Sequence, residues 1–112
     1  MTSMGNKEAL LKFFDSENGR DWEEYRKHLS PYVVWTLHGG DTKTVIGADH
    51  CIEAIKEAYR GSGRTFTCEA LYEGGEGGRI AAILKNDLGE RSCDIFEFKD
   101  GLIAREHEFL LE

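Results

Sequence analysis

A chain of 112 residues with 14 Lys and Arg against 21 Asp and Glu, a formal charge of −7, suits one domain over 1–112 and leaves no room for a second independent core. The negative balance disfavours capture of a polyanion, so no nucleic acid partner is expected. Hydrophobic residues at 40% beside a single proline exclude disorder over most of the length, and the longest uncharged apolar run, Ile80 to Leu84, is strand-sized, so no membrane partner is expected.

Residues 1–6 show no basic segment followed by an apolar one, so no secretory signal is read and the cytoplasm is the expected compartment. Cys51, Cys68 and Cys93 are odd in number and lack the close pairs of a zinc site. They read as reduced, small apolar fillers.

The first helix starts at Asn6, where Leu10, Phe13 and Phe14 follow i, i+3, i+4 spacing, and Asn18-Gly19 stops it. Asp21 and Glu24 form a capping-box variant that opens a short second helix, with Trp22, Tyr25 and Leu29 on one face and Pro31 as its limit. A strand follows from Val33 to His38, with Val33, Trp35 and Leu37 on one face and Val34, Thr36 and His38 on the other. After a short extended piece at Thr44 to Ile46, Gly47 opens a third helix carrying Ile52, Ile55 and Tyr59, and Gly61 ends it.

From Arg64 onward the pattern alternates with period two. Turn signals at Gly74 to Gly78, Asn86 to Gly89 and Asp100-Gly101 divide it into strands at about Thr65 to Glu73, Arg79 to Lys85, Ser92 to Phe98 and Ile103 to Leu111. Consecutive strands with tight turns pair antiparallel, and three leading helices must cover one face of their sheet. The expected class is α+β. The glycine run at Gly74 to Gly78 joins two strands and lacks the Lys-Ser/Thr of a phosphate loop, so it reads as a hairpin.

Asp94 shares its face with Phe96 and Phe98, where burial is expected. Desolvation would raise its proton affinity and suit it to general-acid work; alternatively it sits at a frayed strand end, hydrogen-bonded to backbone or water. Its neighbours depend on the last turn. A two-residue loop at Asp100-Gly101 pairs Phe98 with Ile103 and sets Asp94 opposite His107, with Arg105 and Phe109 on that face. A left-handed bulge at Gly101 pairs Phe98 with Leu102 and sets Asp94 opposite Glu106, with Glu108 next along. Glu106-His107-Glu108 suggests no metal site, because the middle residue of a strand triplet points away from the other two. His28 and His50 fall on polar helix positions and read as solvated.

Asn18 to Trp22, Val33 to Trp35, Gly47 followed by Ile55 to Tyr59, and above all Asp94 to Ile103 occur in an order that resembles the nuclear transport factor 2-like (NTF2-like) superfamily, in particular SnoaL-like polyketide cyclase and ketosteroid isomerase-like domains. The resemblance implies a cystatin-like cone: a curved antiparallel, partly mixed sheet wraps three N-terminal helices and leaves an apolar cavity. Its convex face is expected to form a homodimer. Asp94 matches the protonated acid of the isomerase oxyanion hole, and Tyr59 a tyrosine of the same network. The final strand is expected to turn Ala104, Glu106, Glu108 and Leu110 inward, which favours the bulged register.

Departures from the isomerase pattern matter as much. Leu37 falls where the general base stands, Phe13 where a hydroxyl donor stands, and His38 offers an alternative base. The function implied is a small-molecule pocket acting on an apolar or carbonyl-containing ligand, without cofactor or metal, as an isomerase, cyclase or hydrolase. Asp94 and Glu106 are its candidate catalytic residues, and Trp35, Tyr59 and Glu108 its candidate binding residues. The alternative is a non-catalytic ligand-binding or dimerisation module.

Overall fold

The computed structural model describes residues 5–111. Helix α1 (Asn6–Asn18) buries Leu10, Phe13 and Phe14, as its spacing predicts. Helix α2 (Trp22–Lys27) is capped by Asp21, whose side chain accepts from Glu24 N at 3.2 Å. Helix α3 (Ala48–Ala58) follows Gly47, which holds φ at +96° and donates to Val33 O at 2.8 Å. A β-carbon at that angle would be strained, so glycine suits the turn.

Six strands follow the expected boundaries within a few residues: β1 (Leu29–His38), β2 (Lys43–Ile46), β3 (Phe66–Gly74), β4 (Arg79–Asn86), β5 (Arg91–Lys99) and β6 (Leu102–Leu111). They form one sheet in the order β2-β1-β6-β5-β4-β3, antiparallel except for the parallel pair of β1 and β6. The α+β architecture is as expected, a mixed sheet with three helices on one face.

Three local expectations fail, two of them around the start of β1. Strand β1 begins at Leu29 rather than Val33, because Ile103 N donates to His28 O at 2.8 Å and Leu29 pairs with Ile103. Leu29 therefore reaches the core from a strand, and Pro31 is tolerated because the register shifts between Leu29 and Val34. His28 is buried rather than solvated, set edge-on to Phe13 with ring centroids 6.2 Å apart. Its Nε2 lies 3.5 Å from a Glu24 carboxylate oxygen without a hydrogen bond, and burial lowers its pKa. His50 is exposed, as read.

The last hairpin takes neither anticipated register. Asp100 and Gly101 both hold positive φ, 53° and 79°, which makes a two-residue type I′ turn. Lys99 then pairs with Leu102 and Phe98 with Ile103, but Glu97 pairs with Arg105. Ala104 is the extra residue of a bulge. Beyond it Phe96 opposes Glu106 and Asp94 opposes Glu108. The bulge lies three residues later than expected, yet it turns the same two glutamates toward Asp94.

The core is centred on Leu10, Phe13, Ile80, Phe96 and Ile103, each almost wholly buried. Phe13 stacks on Tyr25 at 4.3 Å and meets Phe96 edge-on at 6.2 Å, joining both leading helices to the sheet. Phe13→Ala is expected to lose about 3–5 kcal/mol of stability, measured by urea denaturation.

Candidate active site

The sheet and helices enclose a cavity of about 600 Å³. Trp35 of β1, Phe66 of β3 and Phe96 of β5 wall it on the sheet side, and Phe14, Tyr25, Ile55 and Tyr59 on the helix side. Leu88, Leu110 and Leu111 line it near the β4–β5 turn and the end of β6, where all three are exposed. All five candidate residues from the sequence, Asp94, Glu106, Trp35, Tyr59 and Glu108, line this one space.

Asp94 is 3% exposed and accepts a hydrogen bond from Ser92 Oγ at 2.7 Å. Strand pairing sets it opposite Glu108, and the bulge brings Glu106 to the same face. Asp94, Glu106 and Glu108 each contribute an oxygen to a set lying within 4.8 Å of one another. The Glu106-His107-Glu108 run does split across two faces, but Asp94 supplies a third carboxyl from β5, and such a set has the spacing to hold a cation. The Trp35 indole N–H donates to Glu108 at 3.3 Å.

Glu17 is a fourth carboxyl in the cavity and was not singled out from the sequence. Tyr59 donates its phenol proton to Glu17 at 2.6 Å, while the Arg20 guanidinium stacks 3.8 Å from the Tyr59 ring centre. The signal was present: Glu17 stands seven residues beyond Leu10 and three beyond Phe14, on the apolar stripe of α1. Asn18 then ties the end of α1 to β3 through paired bonds with Phe66, at 2.9 and 3.0 Å.

Asp94 is buried and Glu17, Glu106 and Glu108 are half-buried on the same cavity wall, so their proton affinities rise. Burial raises Asp94 to about 8, with the Glu108 charge adding to it and the Ser92 hydroxyl opposing it. Burial raises Glu17 to about 7, opposed by the Tyr59 bond and Arg20. Glu106 is raised well above the carboxylate range, first by burial and then by Asp94, Glu108 and Glu17. Glu108 rises by burial, offset by the Trp35 bond. Protons in such a group belong to the cluster rather than to one residue.

Of the other residues considered, His38 and His107 lie outside the cavity. Their rings face each other on the opposite side of the sheet, with Nε2 of His38 3.1 Å from Nδ1 of His107, and His38 stacks on Phe109 at 4.3 Å. The Asp94, His107 and Arg105 cluster of the two-residue-loop register does not form, because the Ala104 bulge reverses the facing of β6. His38 is thus no substitute for a base at Leu37.

No protein-family model and no curated protein matches the chain. Solved structures do. A candidate ketosteroid isomerase from Kribbella flavida is 26% identical, with a TM-score of 0.80 over 96% of this chain and 78% of the other. A SnoaL-like protein of unknown function from Burkholderia thailandensis, 15% identical, gives 0.84 over 100% and 99%. The chain has the fold of the NTF2-like superfamily. A candidate polyketide cyclase from Sinorhizobium meliloti shares it, 16% identical with a TM-score of 0.78 over 89% of this chain and 92% of that one. In this NTF2-like cone the carboxyl cluster occupies the hollow between helices and sheet.

Raised acids bind more protons in the folded than in the unfolded chain, so their contribution to stability falls as pH rises from their unfolded values, near 4, through their folded ones. A tenfold change in proton affinity is worth about 1.4 kcal/mol. Carboxyl-carbon NMR is expected to show Asp94 titrating at about 8 and Glu17 at about 7. Thermal unfolding followed over the same range should show a falling Tm, with a shallower fall in Asp94→Asn.

Proposed function

We propose that the chain is a small-molecule-binding pocket protein performing cofactor-independent acid–base chemistry on a carbonyl compound, of the isomerase or cyclase kind. The observation that carries this reading is the carboxyl trio of Asp94, Glu106 and Glu108, within 4.8 Å in an aromatic cavity, with Glu17 beside it. Near neutral pH Asp94 holds its proton and can donate to a carbonyl or enolate oxygen. Glu106, raised well above the carboxylate range by burial and by Asp94, serves better as a second donor sharing a proton with Asp94 than as a base. Glu108 or Glu17 is then the better acceptor for a proton taken from the carbon beside the carbonyl. Return of that proton at a more distant carbon would complete an isomerisation. Trp35 and Tyr59 would orient the ligand and hold the two acceptors in place.

The test follows conversion of a β,γ-unsaturated cyclic ketone to its conjugated isomer by ultraviolet absorbance. Asp94→Ala is expected to lower kcat by about 10²–10⁴-fold, and Asp94→Asn by less because the amide still donates. The rate should peak where the base is ionised and the acid is not, between about 7 and 8. Turnover unchanged in Asp94→Ala would exclude the mechanism.

A second reading, a dimerisation module of the same fold, draws on the sheet's other face. Alternation turns Ile83, Ile95 and Phe109 there, away from the three helices. A homodimer across this face is expected to sediment at twice the chain mass and to dissociate in Ile95→Lys. A monomer in the unsubstituted chain would end that reading.

A further inference from the structure

The cavity has an imbalance between what it can donate and what it can accept. Most of its neutral donors are already committed: the Tyr59 hydroxyl to Glu17, the Trp35 indole to Glu108 and the Ser92 hydroxyl to Asp94, which leaves the Tyr25 hydroxyl. At the mouth, Asn86 donates to Glu90 at 2.9 Å, and Arg91, the one cation among the lining residues described, is held at 2.6 Å by Glu69 outside. Carboxyl oxygens are left in surplus. Beyond the proton shared by Asp94 and Glu106, a ligand that brings acceptors alone would find few partners, whereas one that brings N–H donors would find several.

Tyr25 points independently to a ligand. It is 5% exposed and lines the cavity, and among the described residues no hydrogen bond engages its hydroxyl. A phenol whose ring is buried and whose oxygen is reached only from the cavity is placed to meet a ligand there. Glu17 and Glu106 line the same cavity as this hydroxyl, so a polar position is left open on a wall shared with two acids. Aromatic walls around that position suit a cation, since a ring face attracts positive charge most strongly where water is excluded.

We infer that the cavity takes a small molecule bearing a basic amine, whose ammonium group lies among Glu17, Glu106 and the Tyr25 hydroxyl. The inference rests on the small-molecule-pocket reading and narrows its substrate class to amine-bearing carbonyl compounds. An ammonium there ionises Glu106 and leaves the shared proton on Asp94, still available to a carbonyl oxygen. A hydrated divalent cation on Asp94, Glu106 and Glu108 would leave Tyr25 and most of the volume unused.

Binding must be linked to protons, because the ammonium displaces those the cluster holds. The titratable and charged groups around this position are Glu17 of α1 with Arg20 beyond it, Tyr25 of α2, Cys51 of α3 and Tyr59 just past its end, Asp94 of β5, and Glu106 and Glu108 of β6. Affinity should therefore rise as pH increases from about 6 to 8, while an aliphatic amine stays charged.

The experiment titrates the full chain with three matched probes, cyclohexylmethylamine, cyclohexylmethanol and cyclohexanecarboxylate, by amide chemical-shift perturbation and calorimetry, with calcium chloride as a separate arm. The amine is expected to bind at least about tenfold more tightly than the alcohol, and the carboxylate least. Tyr25→Phe, which keeps the stacked ring, should weaken the amine about threefold or more and leave the alcohol unchanged. An alcohol that binds as tightly as the amine overturns the inference and leaves the pocket reading standing. Absence of binding by all three probes overturns both. Calcium that displaces the amine at lower concentration, or an unaltered amine affinity in Tyr25→Phe, also overturns it.

Discussion

One unpaired residue in the last strand governs the chemistry of the cavity. Ala104 interrupts a ladder that runs in one register from the Asp100-Gly101 turn to Ile103, and in the next from Arg105 onward. Because side chains alternate with period two, that single step decides whether acids or the Arg105, His107 and Phe109 set faces inward. With the bulge, Ile103 can bury itself in the core and Glu106 and Glu108 can meet Asp94. Without it, Ile103 and the two glutamates could not share a face.

Gathering four acids around one largely enclosed cavity opposes folding unless protons come with them. Asp94 and Glu106 answer by remaining largely protonated, and Glu108 and Glu17 by accepting from Trp35 and Tyr59. The remaining structure supports this arrangement. Phe13 stacks on Tyr25 and meets Phe96 edge-on beneath the cavity, the Asn18 bonds hold α1 against β3, and Arg20 bridges to the Ser62 and Arg64 carbonyls at 3.0 and 2.7 Å. A polar cluster that lowers stability at one place while the packing around it is regular is the pattern expected of a functional site.

The cavity's proton content connects the proposed activity and the proposed ligand. A neutral Asp94 suits a developing enolate, and a neighbouring acid that can surrender its proton suits an arriving ammonium. Both follow from one physical fact: the cluster binds protons at a pH where isolated carboxyls have released them. Solved structures with candidate isomerase and cyclase names share this fold, and a fold by itself does not set a reaction.

The three helices, the boundaries of the last four strands and the inward position of Asp94 follow from local pattern: the stripe of Leu10, Phe13 and Phe14, the Asp21 cap, the alternation around Phe96 and Phe98, and the Asp100-Gly101 turn. Each is decided by residues a few positions apart. The parallel pairing that starts β1 at Leu29, the burial of His28 and the Ala104 bulge depend on contacts between distant segments, which no local period encodes. Glu17 stood on a visible apolar stripe, but its meaning required Tyr59 and Glu108 to arrive from α3 and β6. Sequence by itself determined which side chains could be acids on buried faces; tertiary structure alone decided that they share one cavity, because proton affinity depends on distance and desolvation rather than on order along the chain.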